Sequence, residues 1–189
     1  MKLNETTYGM KLTIAAALRI EKICPDGRID RISELIKTDP ITAIVNVSRI
    51  AAALNEGHAD SEAYAGREAN RIHTGELVSA CADELFFSNL VAEITEVFNR
   101  EYSGTIETRP TKKGREAQKR EKHKTRTIEG SLPWYMYFGR RHGMNREDVL
   151  NTVFGEFQDL MTCEAIYMGF AEEVERKRQL TQEEMYMLE

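Results

Sequence analysis

The sequence predicts an all-α protein made of two small helical domains. Over most of the chain, apolar residues recur three or four positions apart, which is the spacing of one face of a helix. Strand signals are confined to residues 1–8 and 104–108, and neither segment alternates apolar and polar side chains convincingly. Helices therefore account for nearly all of the regular structure that we expect.

A basic segment divides the chain. Residues 109–126 contain nine Lys or Arg and two Glu, a net charge of +7, whereas the rest of the chain carries −12. The segment has no periodic apolar face, so it is typical of a solvated linker or, at most, an exposed helix. We place an N-terminal helical domain at 1–104, a basic linker at 105–130, and a C-terminal helical module with a mobile tail at 131–189.

The first block begins with a helix rich in Ala, Leu and Ile at residues 10–23, which Pro25-Asp26-Gly27 ends. Asp39-Pro40 predicts the start of a second helix, because Asp can cap free N–H groups and Pro suits the first helical position. This helix is apolar on most sides over 41–54, which indicates deep burial, and Gly57 is expected to end it.

Two apolar stripes follow between Thr74 and Tyr102. The first stripe comprises Leu77, Cys81 and Leu85, and the second comprises Phe87, Leu90, Val91, Ile94 and Phe98. The shift between them, near Ser88-Asn89, predicts a kink or two helices. Thr74 or Ser88 is the expected capping residue.

The second block opens with the densest aromatic cluster of the chain, and Asn145 has the character of an N-cap, with acidic residues in the turn that follows. A block of about fifty residues cannot bury all of this aromatic surface. Part of it is therefore a candidate partner-binding surface, although core packing is the competing interpretation. The candidate residues are Trp134, Tyr135, Tyr137, Phe138, Phe154 and Phe157.

Composition excludes several classes of protein. No apolar run approaches the roughly 18 residues of a membrane span. Three widely separated cysteines favour a reduced, cytoplasmic compartment, and Cys81 and Cys163 are expected to be small buried apolar groups. Paired metal ligands, a nucleophile elbow and a phosphate-binding loop are missing from the sequence. We therefore expect no enzyme activity, no cofactor and no metal.

Nucleic acid is the alternative partner. Lysines and arginines of 109–126 could contact phosphates, although aromatic residues for base stacking are missing there. A helix-turn-helix in 145–175 is disfavoured, because one basic residue stands against eight acidic ones. An acidic protein partner is a further possibility for the basic segment. Its candidate residues are Lys112, Lys113, Arg115, Lys119 and Arg120.

Three stretches together resemble the tail assembly chaperones of long-tailed bacteriophages. The first joins residues 8–23 to Ile32-Ser33-Glu34-Leu35-Ile36, and the second is the apolar, Ala-rich helix of 39–54. The third, 143–161, is similar to the extension that some phages add to the chaperone by a programmed frameshift. The basic linker is longer than the family pattern suggests, and the short N-terminal strand of some members is not obvious.

The resemblance implies a non-enzymatic role. Chaperones of this family coat the long tape-measure protein, keep it soluble and recruit tail-tube subunits. They act in the host cytoplasm and are absent from the mature virion. For this chain, the resemblance implies the tape-measure and tail-tube proteins as partners, and we expect self-association through its apolar faces. Eight methionines suit a surface that must repack around a helical client.

Overall fold

The computed structural model describes residues 1–121 and 132–174, and within them it is mainly helical. The chain divides into two compact units. The larger unit contains Met1–Thr105 together with residues 132–159, and the smaller unit contains residues 106–121 and 160–174. The described helices are α1 (Ile14–Glu21), α2 (Ile32–Ile36), α3 (Pro40–Tyr64), α4 (Thr74–Ala80), α5 (Glu84–Glu101), α6 (Lys112–Glu121), α7 (Leu132–Arg141), α8 (Arg146–Asn151) and α9 (Phe154–Tyr167).

Two small antiparallel sheets qualify the predicted all-α class. In the larger unit, β1 (Lys2–Leu3) pairs with β2 (Thr6–Thr7), and Asn4 and Glu5 form the turn with positive φ. In the smaller unit, β3 (Thr108–Pro110) pairs with β4 (Ala171–Glu173). The predicted strand segment 1–8 contains β1 and β2, whereas the predicted segment 104–108 overlaps β3 only at Thr108.

α3 is the central helix of the larger unit and packs against α1, α2, α4, α5 and α8. Its predicted start is confirmed, because the Asp39 carboxylate accepts a hydrogen bond from the backbone N–H of Thr42 (3.0 Å). The predicted end at Gly57 is wrong, since α3 continues to Tyr64. Gly57 is instead the point where α3 meets the α1 region: a Cβ atom there would lie 2.8 Å from the Ala16 Cβ.

The helix between Thr74 and Tyr102 breaks at residues 81–83, and not at Ser88-Asn89 as predicted. The Asp83 carboxylate caps α5 by accepting a hydrogen bond from the backbone N–H of Phe86 (2.9 Å), and Thr74 lies inside α4. The break also divides the first predicted stripe. Leu77 and Cys81 are buried, whereas Leu85 points to the surface.

Residues 132–159 are tied to the beginning of the chain. The backbone N–H of Phe154 donates to the Leu12 carbonyl (2.8 Å), and that of Ile14 donates to the Thr152 carbonyl (3.0 Å). The Tyr64 hydroxyl of α3 also donates to the Asp148 carboxylate of α8. The first segment of the larger unit ends at Thr105, close to the predicted boundary after residue 104. The predicted separation of the second block does not hold for residues 132–159, because they belong to the same unit as the first block.

The smaller unit contains part of the predicted linker as regular structure. In β3–β4, Arg109 lies opposite Glu172 and forms an ion pair with it (2.8 Å). The Thr111 hydroxyl accepts a hydrogen bond from the backbone N–H of Gly114 (3.1 Å) at the start of α6. The exposed-helix alternative thus describes residues 112–119, whose side chains are mostly exposed. The predicted mobile tail and the rest of the basic segment, residues 122–126, lie outside the described residues.

Helices long and apolar enough to span a membrane are not found in residues 1–121 and 132–174.

Candidate interaction surface

The predicted partner-binding aromatics are mostly core residues. Tyr135, Phe138, Phe154 and Phe157 are each 9 % exposed or less. Their rings form one cluster between α7 and α9, with the Tyr135 and Phe157 centroids 5.4 Å apart and those of Phe138 and Phe157 5.5 Å apart. Because these four rings are buried, they are not available to a partner in the folded protein. They are core residues that hold α7 and α9 together.

A residue of the N-terminal block covers part of this cluster. The Tyr102 ring, just beyond α5, stacks on the Phe154 ring with centroids 5.3 Å apart. Burial is also the main reason why the pKa of the Tyr135 hydroxyl is raised. The expectation that fifty residues could not bury these aromatics treated the second block as self-contained. Tyr102 of the first block helps to cover the buried rings, but Tyr137 is 64 % exposed, so part of the aromatic surface does stay outside the core.

The outward face of α7 is a different environment. Tyr137 is 64 % exposed, and with Pro133, Met136, Arg140 and Arg141 it lines an open cavity of about 520 Å³. We call these five residues the α7 surface. Trp134, the last of the six predicted residues, is half-buried. Its ring stacks on that of Phe138, with the centroids 5.8 Å apart, so Trp134 belongs partly to the core and partly to the surface of α7.

The α7 surface combines apolar area with positive charge. The Arg141 guanidinium lies 6.0 Å from the centre of the Tyr137 ring. Tyr, Met and Arg are the residue types that protein interfaces favour, because they offer large contact areas together with directional polar groups. An apolar strip beside two guanidinium groups fits a helix that carries acidic residues along its apolar face.

The basic residues of α6 are partly used within the smaller unit. The Lys113 ammonium donates to the Met168 carbonyl (2.7 Å) and lies 4.5 Å from the centre of the Phe170 ring. The Arg115 guanidinium donates to the Pro110 carbonyl (3.2 Å). Lys112 and Lys119 are exposed on the same helix, and the side chain of Arg120 lies outside the described residues. These internal contacts leave the charges in place but hold two of the cationic side chains of α6 against the unit itself.

The sequence analysis did not identify Glu21 as a carboxyl group with a raised pKa. Burial raises the pKa of Glu21, at the end of α1, to about 7. Burial also raises the pKa of the nearby Cys24 thiol to about 11, and the charge of Glu21 adds to this effect. The signal was present in the sequence, because Glu21 lies four residues after Ala17, on the face of α1 that is buried.

Two further observations bear on chemistry. Within the part of the chain that the structure describes, no group of three or more His, Cys, Asp or Glu residues is placed to hold a metal ion. Cys24 and Cys81 are buried free thiols, as predicted for Cys81, whereas the prediction of a buried Cys163 is wrong because this residue is exposed.

Comparisons with known proteins gave no match: no family model, no curated protein and no solved structure is similar to this chain. The resemblance to tail assembly chaperones therefore rests on the sequence pattern alone.

Proposed function

We propose that this chain is a phage tail assembly chaperone or adaptor that acts in the host cytoplasm. In this role it binds and solubilises the tape-measure protein, helps to recruit tail-tube subunits, associates with copies of itself and is absent from the mature virion. The role requires no catalysis and no cofactor. The observation that carries the proposal is the α7 surface, an exposed site with the composition of a protein interface and no catalytic machinery of its own.

The chemistry of the α7 surface suits such a client. A long helical protein exposes apolar stripes before assembly, and a chaperone must cover them reversibly. Tyr137 and Met136 supply apolar contact, and Arg140 and Arg141 select stripes that acidic residues flank. The buried aromatic cluster beneath holds α7 in place, so the surface is presented by a rigid element.

Co-expression tests the proposal. The chain is produced together with the longest coiled-coil-rich protein encoded downstream of it, and the soluble fraction and co-purification of that protein are measured. We expect the client to become soluble in the presence of this chain. Tyr137→Ala should lower the soluble fraction several-fold, because it removes the central apolar contact of the α7 surface. Tyr137 is exposed, so its removal should leave the fold intact.

Tyr167→Ala is the matched control, since Tyr167 is 92 % exposed and lies in α9, outside the α7 surface. It should leave the soluble fraction unchanged. A client that is equally insoluble with and without the chain contradicts the proposal.

A salt titration separates the nucleic-acid alternative. Binding of residues 109–126 to phosphates would weaken steeply between 50 and 200 mM salt, by roughly 10³-fold if six phosphates are contacted. We expect no such binding to DNA or RNA by the wild-type chain. If binding of this kind is found and is lost in the double variant Lys112→Ala/Lys119→Ala, the alternative replaces the chaperone proposal.

A further inference from the structure

A second apolar groove lies in the larger unit, between the first turns of α3 and α5. Its volume is about 320 Å³, and Pro40, Ile44, Cys81, Ala82 and Phe87 line it together with Glu84. Cys81 is buried, and its thiol accepts a hydrogen bond from the Ser48 hydroxyl (3.7 Å). Cys81 also directly follows the last residue of α4. The fold therefore fixes the position of Cys81 and, with it, one wall of the groove.

Two large aliphatic side chains that follow residues of the groove in sequence are exposed. Ile41, next to Pro40, is 77 % exposed, and Leu85, next to Glu84, is 71 % exposed. Leu85 is turned outward by the break at residues 81–83, which separates it from the buried stripe of Leu77 and Cys81. An apolar groove with exposed aliphatic groups on the same helical turns is typical of a docking site, because a partner that covers these turns removes apolar surface from water.

The charges along the groove are mainly negative. Asp39 and Asp83, the capping residues of α3 and α5, and Glu84 on the groove itself place three carboxylates beside Pro40 and Ala82. The hydrogen bonds from Thr42 hold the pKa of Asp39 below its ordinary value, so this carboxylate stays ionised. Lys37 is the nearest cation in sequence. The groove therefore has the opposite charge to the α7 surface.

We propose that this groove docks an amphipathic helix of a protein partner in which lysines or arginines flank the apolar stripe. Apolar cavities of about 150 Å³ hold one benzene-sized group, so a groove of twice that volume admits two aliphatic side chains. Residues four apart on a helix lie on the same face and supply such a pair. The inference stands apart from the proposed function, since it depends on the groove and its charges and not on the identity of a client.

Two designed peptides test this inference on the full chain. One is an 18-residue helical peptide with leucines four residues apart and lysines beside them, and its twin has glutamates in place of the lysines. Binding of each labelled peptide is measured by fluorescence anisotropy. We expect the lysine peptide to bind and to lose affinity as salt rises. The glutamate twin carries the charges that the α7 surface favours, so substitutions in the groove, and not the ratio of the two affinities, show which site each peptide occupies.

Leu85→Ser and Glu84→Lys should each weaken binding of the lysine peptide at least fivefold. Both side chains are at the surface, and circular dichroism spectra confirm that each variant is folded. Tyr167→Ser is the matched control, because it removes an exposed ring that belongs to neither the groove nor the α7 surface and should not change the affinity for the lysine peptide. Leu85→Ser should leave the affinity for the glutamate twin unchanged.

Three outcomes would overturn the inference: no binding of the lysine peptide at millimolar concentration, no loss of its affinity in Glu84→Lys, or equal effects of Leu85→Ser and Tyr167→Ser. Light scattering during size-exclusion chromatography adds a further check. If the wild-type chain is an oligomer that Leu85→Ser dissociates, the groove is an interface between copies of this chain and the inference is wrong.

Discussion

Glu21 is a half-buried carboxyl group whose ionisation opposes folding. Its pKa rises from the usual value of 4.5 to about 7, because burial disfavours the charged form. Between these two values the native protein binds a proton that the unfolded chain does not bind. The free energy of unfolding therefore falls as pH rises through this window, and the penalty is fully present above about pH 7.

Glu21→Gln should remove this penalty. We expect the variant to exceed the wild type in free energy of unfolding by about 1–2 kcal/mol at pH 8, after allowance for the part of the group that solvent reaches. At pH 5 the two proteins should agree within about 0.5 kcal/mol, since Glu21 is then protonated in the native state. Urea denaturation at both pH values measures the difference.

Glu68→Gln is the control for Glu21→Gln, because Glu68 is an exposed carboxylate of the same unit. Its free energy of unfolding should follow that of the wild type at both pH values. An advantage of Glu21→Gln that is equal at pH 5 and pH 8 would contradict the assignment.

At the scale of elements, the start of α9 packs closely on the end of α5. A Cβ atom at Gly155 would lie 2.6 Å from the Ser103 carbonyl oxygen and 3.0 Å from that of Glu101. We predict that Gly155→Ala lowers the free energy of unfolding by about 1–3 kcal/mol, because backbone atoms must move apart. This loss exceeds the gain of about 1 kcal/mol that Ala brings to a helix interior.

Gly75→Ala provides the comparison for Gly155→Ala. Gly75 lies in α4, and a Cβ atom there would have nothing within 4 Å. It should stabilise the protein by up to about 1 kcal/mol through helix propensity alone. Urea denaturation of the two variants checks both signs, and stabilisation by both substitutions would show that α5 and α9 are not in close contact.

The sequence predicted those helix ends that depend on neighbouring residues. Asp39 caps α3 as expected, and Asn145 caps α8 by accepting hydrogen bonds from the backbone N–H groups of Glu147 (2.7 Å) and Asp148 (2.9 Å). The prediction that Gly57 ends α3 was wrong, because Gly57 allows α3 to approach the α1 region closely and does not terminate the helix. Local chemistry thus determines caps, whereas close approaches between helices depend on residues distant in sequence.

At the scale of the whole molecule, the interpretation of the aromatic residues depended on what covers them. The sequence identified α7 as the place of a candidate surface, and Tyr137 does lie there. It did not separate Tyr137 from Tyr135 and Phe138, since the faces of α7 become distinct only when α9 and the end of α5 pack against it. The groove near Leu85 was missed for a related reason, because its shape depends on where α4 ends.

Contacts between the two blocks should make the larger unit unfold as one. Phe154→Leu weakens the stacking with Tyr102, so we expect the free energy of unfolding to fall by about 1–2 kcal/mol. Amide protons of α1 and α3 should lose protection to the same extent as those of α7 and α8, because all four helices belong to one compact unit, which we expect to unfold cooperatively.

Hydrogen exchange followed by mass spectrometry measures protection in each helix. The conservative variant Phe98→Leu tests a half-buried ring of α5 in the same way, and it should affect the same set of amides. Protection that is lost in α7 and α8 but kept in α1 and α3 would show two independently folding parts.

The backbone pairing of Ile14 with Thr152 has a consequence for synthesis of the chain. A span of 138 residues separates the N–H of Ile14 from its partner carbonyl. At 5–20 residues per second, a ribosome needs roughly 7 to 28 seconds to produce that partner. During this time Leu12 and Ile14 have been synthesised, but the residues that form backbone hydrogen bonds with them, Phe154 and Thr152, have not. The apolar segment that leaves the ribosome early is therefore among the last to be enclosed.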